Sequence, residues 1–182
     1  MKNRLILDLC GGTGAWSAPY RAAGYDVHLV DIQKGQDVRL LTAMEEPVHG
    51  ILAAPPCTQF ASSGARWWAN KGEDVLLDAL TVVDACLRAV VIYKPVWWAL
   101  ENPVGRLRRY LGDPALIFDP CDYGDPYTKK TLVWGQFNIP DRKPVAPVEG
   151  SKLWRLPPSP ERKTIRSITP GGFAREFFVA NP

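Results

Sequence analysis

Apolar residues in this chain come in short blocks, separated by breaks rich in glycine, proline and acids. Arg4–Leu9 (RLILDL) is almost uniformly apolar, the pattern of a strand buried on both faces. The glycines of Gly11-Gly12-Thr13-Gly14 predict a sharp turn into a helix over Ala15–Ala23, closed by Gly24. Asp26–Val30 reads as a second strand, ending at Asp31. Val48–Ala53 reads as a third and must stop at Pro55-Pro56, because proline donates no ladder hydrogen bond. Over Glu73–Tyr93 the residues Leu76, Leu80, Val83, Leu87 and Val90 recur at spacings of 4, 3, 4 and 3, which predicts a long helix that Lys94-Pro95 ends. Val96–Leu100 is the next strand, followed by Glu101, and Ala115–Phe118 is a short one. The tail SITPGGFAREFFVANP carries a helix signal, with Phe173, Phe177 and Phe178 on one side. Strands alternating with helices predict an α/β fold with a mostly parallel sheet and helices on both faces.

Size and composition narrow the picture only a little. At 182 residues, residues 1–182 are expected to form a single domain. A hydrophobic share of 46% against 23% charged residues fits a packed globule and not a disordered chain. A net charge of +3 permits a nucleic-acid partner without requiring one. Four cysteines show no CxxC spacing and only two histidines accompany them, so no metal site is expected. The N-terminus MKNRLILDLC does not read as a signal peptide, and no apolar run is long enough to span a membrane. A cytoplasmic protein with reduced thiols is expected.

The candidate chemistry sits at strand ends. Pro55-Pro56 stiffens the backbone just ahead of Cys57, and a thiol on a rigid turn past a strand lies where open α/β sheets place their sites. An inert buried cysteine is the competing reading. The glycine loop after the first strand, with Asp31 about twenty residues beyond it, suits a nucleoside-containing cofactor whose ribose diol an acid holds. The spacing GGTG is not the GxGxxG of nicotinamide sites. The loop TQFASSGARWWANKGED carries Arg66, Trp67 and Trp68, of a kind that closes over a substrate or packs on the core. From 138 to 166 the chain is proline-rich, basic and irregular, with Trp154 among the cations. Such a segment suits phosphate contacts and stacking, or a solvated connector.

Three stretches in this order, LDLCGGTGAW (Leu7–Trp16), ILAAPPCTQF (Ile51–Phe60) and WWALENP (Trp97–Pro103), give the chain its likeness. It resembles the DNA cytosine-5 methyltransferase family, whose signatures are a D-L-x-x-G-x-G cofactor loop, a Pro-Cys turn and a Glu-Asn turn. The resemblance runs from Leu5 to about Trp134 and returns in the tail. It implies a Rossmann-like fold that binds S-adenosylmethionine, with Gly12 and Gly14 shaping the pocket, Asp31 on the ribose and Asp37 beside the adenine. Asp8, Trp16, Ile32 and Pro55 complete the cofactor set that it implies. Cys57 would be the nucleophile and Glu101 the acid at N3 of the base. Pro56, Asn102, Arg66, Lys129 and Thr131 would contact the substrate. In CDYGDPYTKKTLVWG, Tyr123, Gly124 and Pro126 match the family's eighth motif. Tyr127 replaces its glutamine, and Lys129 and Thr131 replace its two arginines; lysine keeps charge without the planar fork. Larger relatives carry a target-recognition domain where this chain has the stub at 138–166, the look of a small, phage-like form.

The implied reaction is methyl transfer to C5 of cytosine in DNA, flipped out of a duplex or already single-stranded. Thiolate addition at C6 makes C5 electron-rich, and a carboxylic acid at N3 takes up the displaced charge. An amino-methyltransferase would need no thiol after the prolines. A catalytically silent nucleic-acid-binding or regulatory module on the same fold is the alternative from another class. RNA or a free nucleotide is the alternative substrate, and a protein partner stays open.

Overall fold

A computed structural model describes residues 4–182. The polar MKN start used above against a leader sequence lies outside the described residues. Strands β1 (Leu5–Leu9), β2 (Asp26–Val30), β3 (Val48–Ala53), β4 (Trp97–Pro103), β5 (Leu116–Phe118) and β6 (Thr131–Gln136) form one sheet in the order β2-β1-β3-β4-β6-β5. The first four are mutually parallel, while β6 runs antiparallel to both of its neighbours. Helices are α1 (Ala18–Ala22), α2 (Trp68–Lys71), α3 (Glu73–Tyr93), α4 (Arg108–Leu111), α5 (Arg162–Ser167) and α6 (Gly171–Ala180). None of the helices among the described residues is long and apolar enough to cross a membrane.

The alternation along each strand builds two apolar layers. Leu5, Leu7, Leu9, Ile51, Ala53 and Leu100 pack with Val83, Cys86 and Ala89 of α3. On the other face Ile6, Leu52, Ala99 and Val133 pack with Trp16, Tyr20, Phe118, Phe173 and Phe177. The tail helix is therefore structural: Phe173 stacks on Phe118 at 4.0 Å, and the Tyr20 hydroxyl donates to the Asn181 carbonyl at 2.8 Å.

The strands and α3 fall where the apolar pattern placed them, with three differences. The first helix starts at Ala18 and not Ala15, because residues 10–17 make successive turns, with Cys10, Gly12 and Gly14 at positive φ. The fourth strand runs on through Glu101 and Asn102 to Pro103, because it pairs with β6 along that whole length. The sixth strand, Thr131–Gln136, falls in a stretch that the apolar pattern does not mark as a strand.

Candidate active site

Register brings the strand ends together. Leu9 lies opposite Val30 on one side and Ala53 on the other, and Ala53 lies opposite Leu100. The next residue of each strand, Asp31, Cys10, Ala54 and Glu101, therefore forms one row along a single sheet edge. Three strand spacings separate its ends, roughly 14 Å. The strand order reverses between β1 and β3, and ligands of open α/β sheets bind outside the strand ends at such a switch point. Here the glycine loop and the Pro-Cys turn flank that point. A cleft of about 1020 Å³ opens there, lined by Gly12, Asp31, Ile32 and Asp37 at one end and by Pro56, Cys57, Arg66 and Lys129 further on.

The β2 end of the cleft is held by paired acids. Asp31 accepts from the Gly12 N–H through one oxygen and from the Gln33 N–H through the other, both at 2.8 Å. The first bond needs Gly12 at φ 54, where a side chain is disfavoured. Asp37 forms a fork with Arg39, 2.7 Å at its shortest, and that guanidinium holds the Asp37 carboxyl below the usual carboxylate range. Ile32 is 67% exposed beside Asp31, an uncovered apolar side chain within the cleft. Asp8 is buried behind the loop and accepts from the Ser17 hydroxyl, leaving Oδ1 without a partner. Burial pushes its carboxyl up to about 6. An acceptor carboxylate, an apolar platform and a backbone free of Cβ atoms at Gly12 fit the ribose and adenine of a nucleoside cofactor.

At the other end, two turns are tied to each other and so fix Cys57 against Glu101. Asn102 Nδ2 donates to the Pro55 carbonyl at 2.9 Å, and Arg106 Nε donates to the Gln59 carbonyl at 2.7 Å. The Arg106 N–H reaches the Phe60 carbonyl and the Ser62 N–H reaches Val104. Gly105 is pressed so closely that a Cβ there would lie 1.9 Å from the Phe60 oxygen. Cys57 opens a short 3-10 turn after Pro56, half-buried. Burial, and then the Glu101 carboxylate, push its thiol up, while Lys129 and Arg166 pull the other way. Burial likewise pushes the Glu101 carboxyl up against the opposing pull of Lys129, and its Oε2 is buried without a hydrogen-bond partner. A thiol and a carboxyl on turns tied to each other, with Lys129 acting on both, suit covalent addition to a ring whose displaced charge the carboxyl takes up.

No family model matches the chain. In sequence it is similar to the type II methyltransferase M.DdeI of Desulfomicrobium norvegicum, at 24% identity over a match covering 70% of this chain and 39% of that protein. Among solved structures it is similar to an E. coli prophage-encoded protein described as a DNA modification methyltransferase, with a TM-score of 0.53 and 21% identity. That match covers 79% of this chain and 53% of the other. The fold is a Rossmann-like methyltransferase fold. The chain spans 39% of the length of the curated relative and 53% of that of the solved one.

Two residues expected at the site lie away from the cleft. Trp16 is buried between Phe173 and Phe177, with ring centroids at 5.8 and 5.4 Å, so its ring supports the aromatic layer under the glycine loop. Thr131 is 2% exposed and donates its hydroxyl to the Lys129 carbonyl at 2.8 Å, so it shapes the strand start and leaves Lys129 as the cation from that motif. Glu101, Asp8, Gly14, Pro55 and Asn102 are not among the residues that line the cleft, the Glu101 carboxyl being buried behind it. Sequence reasoning missed three contributors. Arg39 pairs Asp37, Arg106 ties the two turns, and Arg166 reaches the electrostatic neighbourhood of Cys57 from α5. Only Arg166 had a signal, its place among the cations of the stub.

Proposed function

We propose that this chain transfers a methyl group from S-adenosylmethionine to C5 of cytosine in DNA, through a covalent bond between Cys57 and C6. The observation that carries this reading is the placement of Cys57 and Glu101 at one sheet edge, on turns tied through Asn102 and Arg106, with Cys57 lining the cleft that begins at Gly12 and Asp31. The named relatives, a type II methyltransferase and a DNA modification methyltransferase, support the transferred group and the DNA substrate.

Asp31 would hold the ribose, Ile32 and Asp37 the adenine, and the backbone at Gly12 would allow close approach. When bound, the cofactor supplies an electrophilic methyl group. Cys57 adds through its thiolate to C6, and the C5–C6 electron pair moves into the ring toward N3. Glu101, whose carboxyl is pushed up by burial, would donate a proton to N3 and leave C5 an enamine carbon. C5 would bond to the methyl carbon as the bond from that carbon to the donor's sulfur breaks, a base would remove the C5 proton, those electrons would expel Cys57 as thiolate, and the N3 proton would return to Glu101. Lys129 and Arg166 stabilise that thiolate at both ends of the sequence. The raised thiol favours deprotonation during attack over a resident anion. The reaction would take place within one domain, in a reducing compartment where Cys57 stays free.

Nucleoside mass analysis of DNA from a methylation-deficient host expressing the chain tests the reading. 5-Methylcytosine above the host background is expected. Its absence in a protein that binds S-adenosylmethionine, on DNA and RNA alike, would leave a silent binding module.

A further inference from the structure

The basic and aromatic wall of the cleft beyond Cys57 bears on the form in which a nucleic-acid substrate arrives, given the function proposed for Cys57. Two arginine-on-tryptophan pairs are associated with the cleft. In the turn after the nucleophile, Arg66 lies over the Trp67 ring at 5.0 Å. On α5, Arg166 lies over the Trp154 ring at 5.9 Å. Arg66, Trp154 and Arg166 line the same cleft as Cys57. Trp67 is 51% exposed and Trp154 60%, so each indole offers surface to a ligand.

The cations of this wall are unmatched. None of Arg66, Arg162, Lys163 or Arg166 makes an ion pair among the described residues. Arg162 donates through Nη2 to the Trp154 carbonyl at 3.2 Å, while its buried Nε has no acceptor. A guanidinium or ammonium group with no carboxylate partner is free to bind a phosphate oxygen.

Exposed indoles bind base faces, and a duplex keeps the faces of unflipped bases inside its own stack, so the two tryptophans favour the strand.

We propose that the cleft takes single-stranded DNA, with bases flanking the target cytosine stacked on Trp67 and Trp154 and phosphates held by Arg162, Lys163 and Arg166.

Fluorescence anisotropy of a short labelled oligonucleotide carrying one cytosine tests this, without cofactor, alone and annealed to its complement. The single strand is expected to bind about tenfold tighter than the duplex. Trp67→Ala and Trp154→Ala are each expected to weaken single-strand binding by about fivefold or more and leave the duplex unchanged, with Trp154→Phe restoring most of the loss. Both indoles are half-exposed or more, so these variants are expected to keep the fold. The proposal is overturned if the duplex binds as tightly as the strand, if the same sequence in RNA binds tighter than DNA, or if neither tryptophan matters. Because binding is read without turnover, a protein that grips single strands but never methylates would remove the catalytic reading alone. One that methylates only duplexes would remove this inference alone.

Discussion

Asp31 and Asp37 have their oxygens occupied by backbone N–H groups and by Arg39, whereas Arg66, Arg162, Lys163 and Arg166 meet no carboxylate among the described residues. The first arrangement is finished before any ligand arrives. It suits a small molecule that must sit in one place, because the donors and acceptors are already aimed. The second leaves like charges facing one cleft, which costs stability and is offset only when an anion enters. It suits a partner that brings its own negative charge at regular intervals. Cys57 and Glu101 lie between the two, on a frame tied by Asn102 and Arg106.

Glu101→Gln cuts deepest into the site between these ends. An amide cannot give a proton to N3, so turnover is expected to fall about 10²- to 10⁴-fold with cofactor affinity unchanged. The pH profile sharpens the point. Both groups are pushed up, and the pair must keep one proton, on the carboxyl, with the thiol ionised. The acid limb of kcat/KM is therefore expected above the ordinary carboxylate value of 4.5 and the alkaline limb above the ordinary thiol value of 9.0. Glu101→Gln leaves only the thiol to titrate, so the alkaline limb is expected to vanish and a single rise to remain at the thiol's raised value.

Asp8 tests how finished the β2 end is. Its folded carboxyl titrates at about 6 against an ordinary 3.8, so the folded state binds the proton more tightly than the unfolded chain. Stability from this group is therefore highest below 3.8 and is lost as pH rises through about 6. Asp8→Asn is expected to raise unfolding free energy at pH 8 by up to roughly 3 kcal/mol and to converge with the parent in acid, measured by denaturant titration. A smaller effect is expected from Asp31→Ala, which releases the Gly12 and Gln33 N–H groups. Calorimetry with S-adenosylmethionine should show a loss of about tenfold or more.

The frame of this site was legible because its signals are local. The run Val48–Ala53 could only end at Pro55-Pro56, and the 4-3-4-3 spacing gave α3 its observed limits at Glu73 and Tyr93. Cys57 and Glu101 could be placed together because Cys57 follows one strand of the parallel set and Glu101 lies in the neighbouring one, just past their paired residues. What was not legible depends on partners far along the chain. Asn102 reaches back to Pro55, Arg106 to Gln59, and Arg166 acts on Cys57 across more than half the chain. Strand β6 was hidden because Thr131–Gln136 follows two lysines and reads as a motif until β4 pairs with it. Trp16 was assigned to the cofactor because it follows the glycines, but Phe173 and Phe177, supplied by the tail, take its ring into the core.

The most direct measurement is denaturing mass spectrometry of the protein after incubation with S-adenosylmethionine and an oligonucleotide containing 5-fluorocytosine. Fluorine at C5 cannot leave as a proton does, so the ring stays bonded to the nucleophile. A stable adduct mapping to Cys57, absent from Cys57→Ala, is the predicted result. An adduct on Cys10, Cys86 or Cys121, or methylation of the unmodified oligonucleotide that persists in Cys57→Ala, would contradict it.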